Sequence, residues 1–369
     1  MSKISYLCLD DDSASDSILN TIRSKELEIK SERPVSFDNQ CRALFSALRT
    51  LDGLILDLRL DQNCGSGQSI VEYRASALAQ HLRTEAAEKS VKSVPIVLWS
   101  TDRKLSESYY KDATGQDLFD WVYVKKDVPD AGALITAQLY SLAVGYKEIT
   151  TLFKKNSLIK ITKMPDYVSS ALDPRIDSYF SHVGSGSSVH DYARALLKKL
   201  ILKQGLLVSE RELAALLGVN IDDSKDWPKL VTRLPKNSRY LGVFSGGWPR
   251  WWYPLIEKWW TSLAKDQFPL LRVEANDRIA LIKRATGLRF LTAHPPIKTG
   301  YSTRYSCVCS ALNRPLDSKD GFIVEEQNLA PWQSRSYVSA EGVLNRHKYK
   351  FKKEIDPLER PRLEALKQS

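Results

Sequence analysis

Cysteine is scarce in this 369-residue sequence: Cys8, Cys41, Cys64, Cys307 and Cys309 are the only five, and no two are spaced CxxC. That excludes a disulfide framework and a paired-thiolate zinc site. Cys307 and Cys309, in YSCVCSA, alternate as one face of a half-buried strand. His182, His190, His294 and His347 are too scattered for metal spacing. No apolar run approaches the roughly 20 residues of a membrane-spanning helix. The opening MSKISYLCLDDD turns acidic too early for a signal peptide, so a cytoplasmic protein with no membrane contact is expected.

What is present is an ordinary globular composition, 43% hydrophobic and 27% charged, with length for two or three domains. Charge is divided unevenly. Residues 1–150 hold 18 Lys and Arg against 22 Asp and Glu, leaving 36 basic and 22 acidic residues in 151–369. An acidic half with clustered Asp suits a cation; a basic half suits phosphate, nucleic acid or an acidic protein. The split also predicts a salt-sensitive attraction that masks the basic half at rest.

Up to about residue 145, short apolar runs (ISYLCL, LDGLIL, VPIVLW, DWVYV) alternate with amphipathic stretches (FSALRTL, IVEYRASALAQHLR, ITAQLYSLAV). This is the rhythm of an α/β fold, a doubly wound parallel sheet whose ligands bind at the carboxyl ends of the strands. At those ends stand Asp10, Asp11 and Asp12; then Asp57; then Ser100 and Thr101; then Lys125 and Lys126. Carboxylates gathered closely raise one another's pKa unless a hard divalent cation sits between them, and Mg²⁺ prefers such oxygen ligands. A lysine and a hydroxyl opposite suit phosphoryl chemistry on a carboxylate.

In this order, LCLDDD, LILDLRL, PIVLWST and VYVKK resemble a bacterial response-regulator receiver domain over about residues 3–145. The resemblance implies a flavodoxin-like five-stranded parallel sheet and a histidine kinase or phosphotransfer protein as partner. It implies Asp57 as phosphoacceptor and Mg²⁺ held by Asp10, Asp11, Asp57 and the Arg59 main-chain carbonyl. Ser100 and Lys125 correspond to the groups that grip phosphoryl oxygens. The chain departs from the family in several places. Lys126 and Asp127 follow Lys125 where a proline is usual, so either lysine could serve. The switch aromatic is Tyr123 if Lys126 acts, and the position holds Val122 if Lys125 does. Thr101 replaces a very small residue, and the loop DQNCGSGQS is long. A pseudo-receiver that docks without being phosphorylated is the alternative.

Residues 146–188 read as a continued helix, a possible homodimer face, and a connector ending in the Gly184–Ser188 run. Residues 189–369 read as a separate α+β output domain of no recognised family. VHDYARALLKKLILKQ is a helix. SERELAALLGV resembles the first helix of a helix-turn-helix, but NIDDSKDWPKLV is too acidic for a recognition helix. Five of the nine tryptophans lie between Trp248 and Trp260, and Arg250, Trp251, Trp252 and Tyr253 are candidates for a displayed surface that holds a peptide or stacks bases. Core packing of the same tryptophans is the competing reading. Lys348, Lys350 and Lys352 alternate with Tyr349 and Phe351 as a basic edge strand. A protein-interaction module is the leading expectation for the output, with nucleic-acid binding and an enzymatic effector as alternatives.

Overall fold

The computed structural model describes residues 3–12, 14–62, 70–112, 115–152, 158–186 and 188–368. The apolar runs form parallel strands β1 (Ile4–Leu9), β2 (Leu27–Glu32), β3 (Gly53–Asp57), β4 (Ile96–Ser100) and β5 (Trp121–Val124), in the order β2-β1-β3-β4-β5. Every residue of β3 and β4 is buried, as such runs must be when helices cover both faces of a parallel sheet. Between the strands lie α1 (Ser15–Asn20), α2 (Phe37–Ala47), α3 (Ala75–Ala87) and α4 (Asp102–Glu107), and α5 (Gly132–Leu152) follows the last. The expected doubly wound five-stranded sheet is present. Its one strand not singled out in the sequence is β2, LEIKSE, an edge strand paired to β1 and mostly polar.

Each face of the sheet has its own packing. Leu7, Leu9, Leu54, Leu56, Ile96 and Leu98 share a core with Leu44 of α2 and Leu78 and Leu82 of α3. Each such side chain contributes about 1.5–3 kcal/mol by leaving water. On the other face Tyr6 donates its hydroxyl to the Leu139 carbonyl at 2.7 Å, and Tyr123 donates to Gln138 Oε1 at 2.9 Å, so α5 lies along it. Gly53 makes room there, because a Cβ would stand 2.1 Å from the Tyr6 ring.

Beyond α5 come α6 (Leu158–Thr162), α7 (Asp166–Ser169), α8 (Pro174–Gly186) and α9 (Val189–Leu196), which runs into a π-helical turn, Leu197–Ile201. The Gly184–Ser188 run, expected as connector, is instead helical as far as Gly186; Pro174 pre-sets the first turn of α8. The chain divides into two compact units, the first made of Met1–Thr162, Ser178–Leu197 and Gly242–Trp248. Within it, Asp120 joins three helices to the start of β5. It pairs with Arg83 at 2.8 Å, accepts from the Tyr146 hydroxyl at 2.5 Å and lies 3.3 Å from His190 Nδ1. Burial alone would raise the Asp120 carboxyl, but Arg83 and His190 outweigh it and hold it below the usual carboxylate range. The segment Gly242–Trp248 packs on α5 and β5, with the Trp248 and Trp121 rings 5.0 Å apart. Much of α5, including Leu139, Leu142 and Tyr146, is thereby buried within one chain.

The second unit holds Lys163–Asp177, Lys198–Leu241 and Pro249–Ser369. It contains β6 (Leu207–Val208), α10 (Glu210–Leu217), α11 (Trp227–Arg233), β7 (Trp251–Trp252), α12 (Tyr253–Leu263) and α13 (Ala275–Thr286). After these come β8 (Cys307–Val308), β9 (Pro315–Leu316), β10 (Gly321–Ile323), β11 (Tyr337–Ser339), α14 (Ala340–Leu344), α15 (Arg346–Tyr349) and α16 (Arg360–Gln368). Its sheets are two-stranded, β6 with β7, β8 with β9 and β10 with β11, so helices and small sheets coexist as expected. A reciprocal cap between Ser209 and Glu212 starts α10, and Gly218 at φ +75° ends it. The next helix begins at Trp227, too far along for the three- or four-residue turn of a helix-turn-helix. Cys307, in β8, and Cys309, which follows that strand and bridges to Tyr337, are both buried. The expected basic strand at 348–352 is absent: Lys348 and Tyr349 close the short helix α15, which Lys350 ends at φ +51°, and Phe351 and Lys352 follow outside any strand.

Candidate functional site

The strand order reverses between β1 and β3, and that crevice is where such sheets bind ligands. Asp10 and Asp11 follow the last residue of β1, and Asp57 is the last residue of β3. All three are buried, and one oxygen from each lies within 4.8 Å of the others. The loops that follow hold them in place. Asp57 Oδ2 accepts from the Arg59 N–H at 2.8 Å, Asp11 Oδ2 from the Gln62 N–H at 3.1 Å and Asp10 Oδ1 from the Asp12 N–H at 2.9 Å.

From the end of β5, Lys125 reaches into this cluster. Its Nζ is 2.7 Å from Asp57 Oδ1 and 2.7 Å from Asp10 Oδ2. Lys126 points elsewhere, with its Nζ 3.6 Å from Asp102 and a largely exposed side chain. With Lys125 in the cluster, the position three residues earlier is Val122, while the Tyr123 ring is turned to Gln138 of α5. Burial raises the Asp57 carboxyl above its ordinary value; Lys125 opposes this and Asp10 adds to it. Burial would lower the Lys125 ammonium, but Asp57 and Asp10 prevail and hold it above the ordinary lysine value. Ser100 ends β4, one residue past the register partner of Asp57, and its buried hydroxyl makes no hydrogen bond among the described residues. Thr101 is exposed and caps α4.

Two contributors escape sequence reasoning. Ser15 donates to Asp10 Oδ2 at 2.7 Å and lies 3.2 Å from Lys125 Nζ. The Trp99 ring lies 5.0 Å from Lys125 Nζ, a cation–π contact. The alternation of β4 is the signal that could have placed Trp99 on the Asp57 side of the sheet. Asp61 holds the Arg59 side chain at 2.7 Å, and the rest of the long loop, 63–69, lies outside the described residues.

The residues expected to form an output surface are placed differently. Trp251 and Trp252 are buried, as are Trp248 and Trp260, so the core reading replaces the displayed one. Arg250 and Tyr253 are half-buried, and Arg250 donates to the Ile201 carbonyl at 2.5 Å. The physical reason is cover from other segments: Trp251 and Trp252 form β7 against β6, and only Trp260 owes its place to helical spacing. Trp260 and Ile256 fall on the inner stripe of α12 and share a core with Trp227, Trp251 and Leu213.

In fold, the N-terminal part is similar to solved response regulators. A putative response regulator from Chloroflexus aurantiacus J-10-fl is 14% identical, with 38% of this chain and 99% of that one covered and a TM-score of 0.28. A response-regulator receiver-domain protein from Clostridium thermocellum is 11% identical, with 40% and 98% covered and a TM-score of 0.27. The response regulator LqsR from Legionella pneumophila is 14% identical, with 49% and 55% covered and a TM-score of 0.28. No protein-family model and no curated protein matches the chain. No helix among the described residues is long and apolar enough to cross a membrane.

Proposed function

We propose that this chain is a cytoplasmic response regulator in which Asp57 takes a phosphoryl group from a phosphohistidine of a partner kinase or phosphotransfer protein, and that the second unit is the output it controls. The observation that carries this is Lys125 Nζ, 2.7 Å from both Asp57 and Asp10, in a buried acid cluster. In the transfer an Asp57 oxygen bonds to phosphorus as the phosphorus–nitrogen bond breaks, and the histidine nitrogen keeps its electron pair. Lys125 neutralises oxygens of the arriving group, and Ser100, whose buried hydroxyl has no hydrogen-bond partner among the described residues, serves as a donor to them. Carboxylate oxygens of Asp10, Asp11 and Asp57 at this spacing suit Mg²⁺, with the Arg59 carbonyl as a further ligand. When bound, the ion would offset charge on the phosphoryl oxygens.

Acetyl phosphate with Mg²⁺ should add one phosphoryl mass to the wild-type chain and none to Asp57→Asn. Equal labelling of both would overturn the assignment. Labelling of neither would leave the unphosphorylated docking platform.

For the output, burial of the tryptophans removes the observation behind a displayed peptide-binding surface. The charge remains. The second unit carries 32 Lys and Arg against 21 Asp and Glu, which supports a polyanionic partner, nucleic acid or an acidic protein.

A further inference from the structure

In the second unit the chain leaves α13 through Gly287, at φ +71°, and enters Leu288–Thr292. Leu288 and Leu291 are buried in the core, while the two residues between them project outward. Phe290 is 63% exposed, a large apolar ring left in water. Its backbone is nevertheless pinned. Asp226, itself 3% exposed, accepts from the Arg289 and Phe290 N–H groups at 3.1 and 3.0 Å and donates its own N–H to the Phe290 carbonyl at 3.1 Å. The Thr292 N–H donates to Ser224 Oγ at 2.8 Å. An exposed basic–aromatic pair is thus held on a fixed backbone tip.

The surroundings of this tip are cationic. Lys229 lies 2.8 Å from the other oxygen of Asp226 with most of its side chain in solvent, and Arg233 of α11 donates to the Thr286 carbonyl at the end of α13. Lys225 and Arg284 are exposed on the same two segments, with Asp222 and Asp223 as nearby exposed acids. A single exposed ring is ordinary on a protein surface. A ring on a backbone clamped by a buried carboxylate and flanked by lysine and arginine fits a strand of unpaired bases, whose rings stack while its phosphates meet the cations.

We infer that Arg289 and Phe290, with Lys229 and Arg233, are a contact surface for single-stranded nucleic acid. The inference deepens the polyanion reading of the output and stands independently of phosphorylation at Asp57. Single strands are favoured over duplex because α11 has only seven residues and a proline in its first turn, which leaves little helix to lie in a major groove.

The test is fluorescence anisotropy of the full chain with labelled oligo(dT), oligo(U) and a random duplex across a salt series. Phe290→Ala should weaken both single strands by about tenfold and leave the duplex nearly unchanged, whereas Phe290→Trp should retain binding. Lys229→Ala with Arg289→Ala should weaken all three and reduce the salt slope by roughly one to two. The oligo(dT) and oligo(U) arms distinguish DNA from RNA as the source of the strand. Phe290 and Arg289 are exposed, and circular dichroism checks that the variants stay folded. Absence of binding at low salt, wild-type affinity in these variants, or loss only on changing Lys348, Lys350 and Lys352 to Ala would each overturn the site. Equal, Phe290-independent competition by polyglutamate would overturn it in favour of an acidic protein. Running the series in Asp57→Asn separates failure here from failure of the phosphorylation reading.

Discussion

At the scale of single residues, Lys125 and Lys126 are adjacent and chemically identical, and only their surroundings separate them. Lys125→Ala leaves Asp10 and Asp57 buried beside each other without their ammonium, a change that costs on the order of 3–5 kcal/mol. Saturating Mg²⁺ should recover part of it, since a cation that binds the folded form stabilises it. Lys126→Ala, at an exposed pair, should shift stability by no more than about 0.5 kcal/mol. Thermal melts of the two variants with and without Mg²⁺ decide the matter; similar losses in both would remove the distinction. Asp57 has the opposite sign. Its raised carboxyl pKa means that folding penalises the ionised form. That penalty is absent below the unfolded value near 3.8 and grows as pH rises through the folded value. Asp57→Asn, which keeps the Lys125–Asp10 pair, should therefore be more stable than wild type at neutral pH, with the gain vanishing toward pH 4. Each kcal/mol gained is worth about 2–4 °C in Tm for a unit of this size. A pH series of melting curves in which the variant is the less stable at pH 7 would contradict this.

At the scale of elements, α5 is more than the last helix of a sheet domain. One side meets Tyr6 and Tyr123, and the other accepts Gly242–Trp248 so closely that backbone approaches backbone. A Cβ on Gly247 would lie 2.8 Å from Gln138 Cα, and one on Gly145 would lie 2.4 Å from the Phe244 ring. Gly247→Ala forces the segment off the helix and should destabilise by about 1–3 kcal/mol. Gly300→Ala places its Cβ in open space and should pay only the strain of φ +90°. Urea titrations compare the two; equal midpoints would mean that the segment yields without cost. Gln138 also receives the Tyr123 hydroxyl, so an amide proton exchange rate at 242–248 that changes with beryllofluoride would tie this contact to the acid cluster.

At the scale of the whole molecule, the division by halves is misleading about charge. Residues 1–150 alone are net −4, but the first compact unit also takes in Lys154, Lys155, Lys160, Asp191 and Arg194, so it holds 22 basic and 23 acidic residues. A nearly neutral body attracts a basic one only weakly, and exposed charges are screened over about 8 Å at physiological ionic strength. The expected salt-sensitive masking therefore loses its driving force. Small-angle scattering of the full chain should change little between low and high salt, whereas polyanion affinity should fall steeply. A large salt-dependent change in radius of gyration would restore the masking account.

The chain determined its parallel sheet and acid cluster by itself, because buried strands must be continuous apolar runs and a carboxylate at a strand's end is visible in LCLDDD and LILDLRL. The polar edge strand β2 left a weaker trace, since one row of backbone partners and one half-buried face constrain its side chains little. Likewise, helical periodicity announced α9 and α10 but not what they meet. Tertiary structure alone decided which lysine enters the cluster, because one residue's difference at a strand end reverses the direction of a side chain. It alone sent the tryptophans inward, since whether an aromatic stripe is covered depends on segments far away in the chain. It also joined residues 178–197 and 242–248 to the first unit through Asp120, His190 and Trp248. A buried carboxylate and a close helix approach select partners by shape and hydrogen bonding, and neither leaves a local pattern along the sequence.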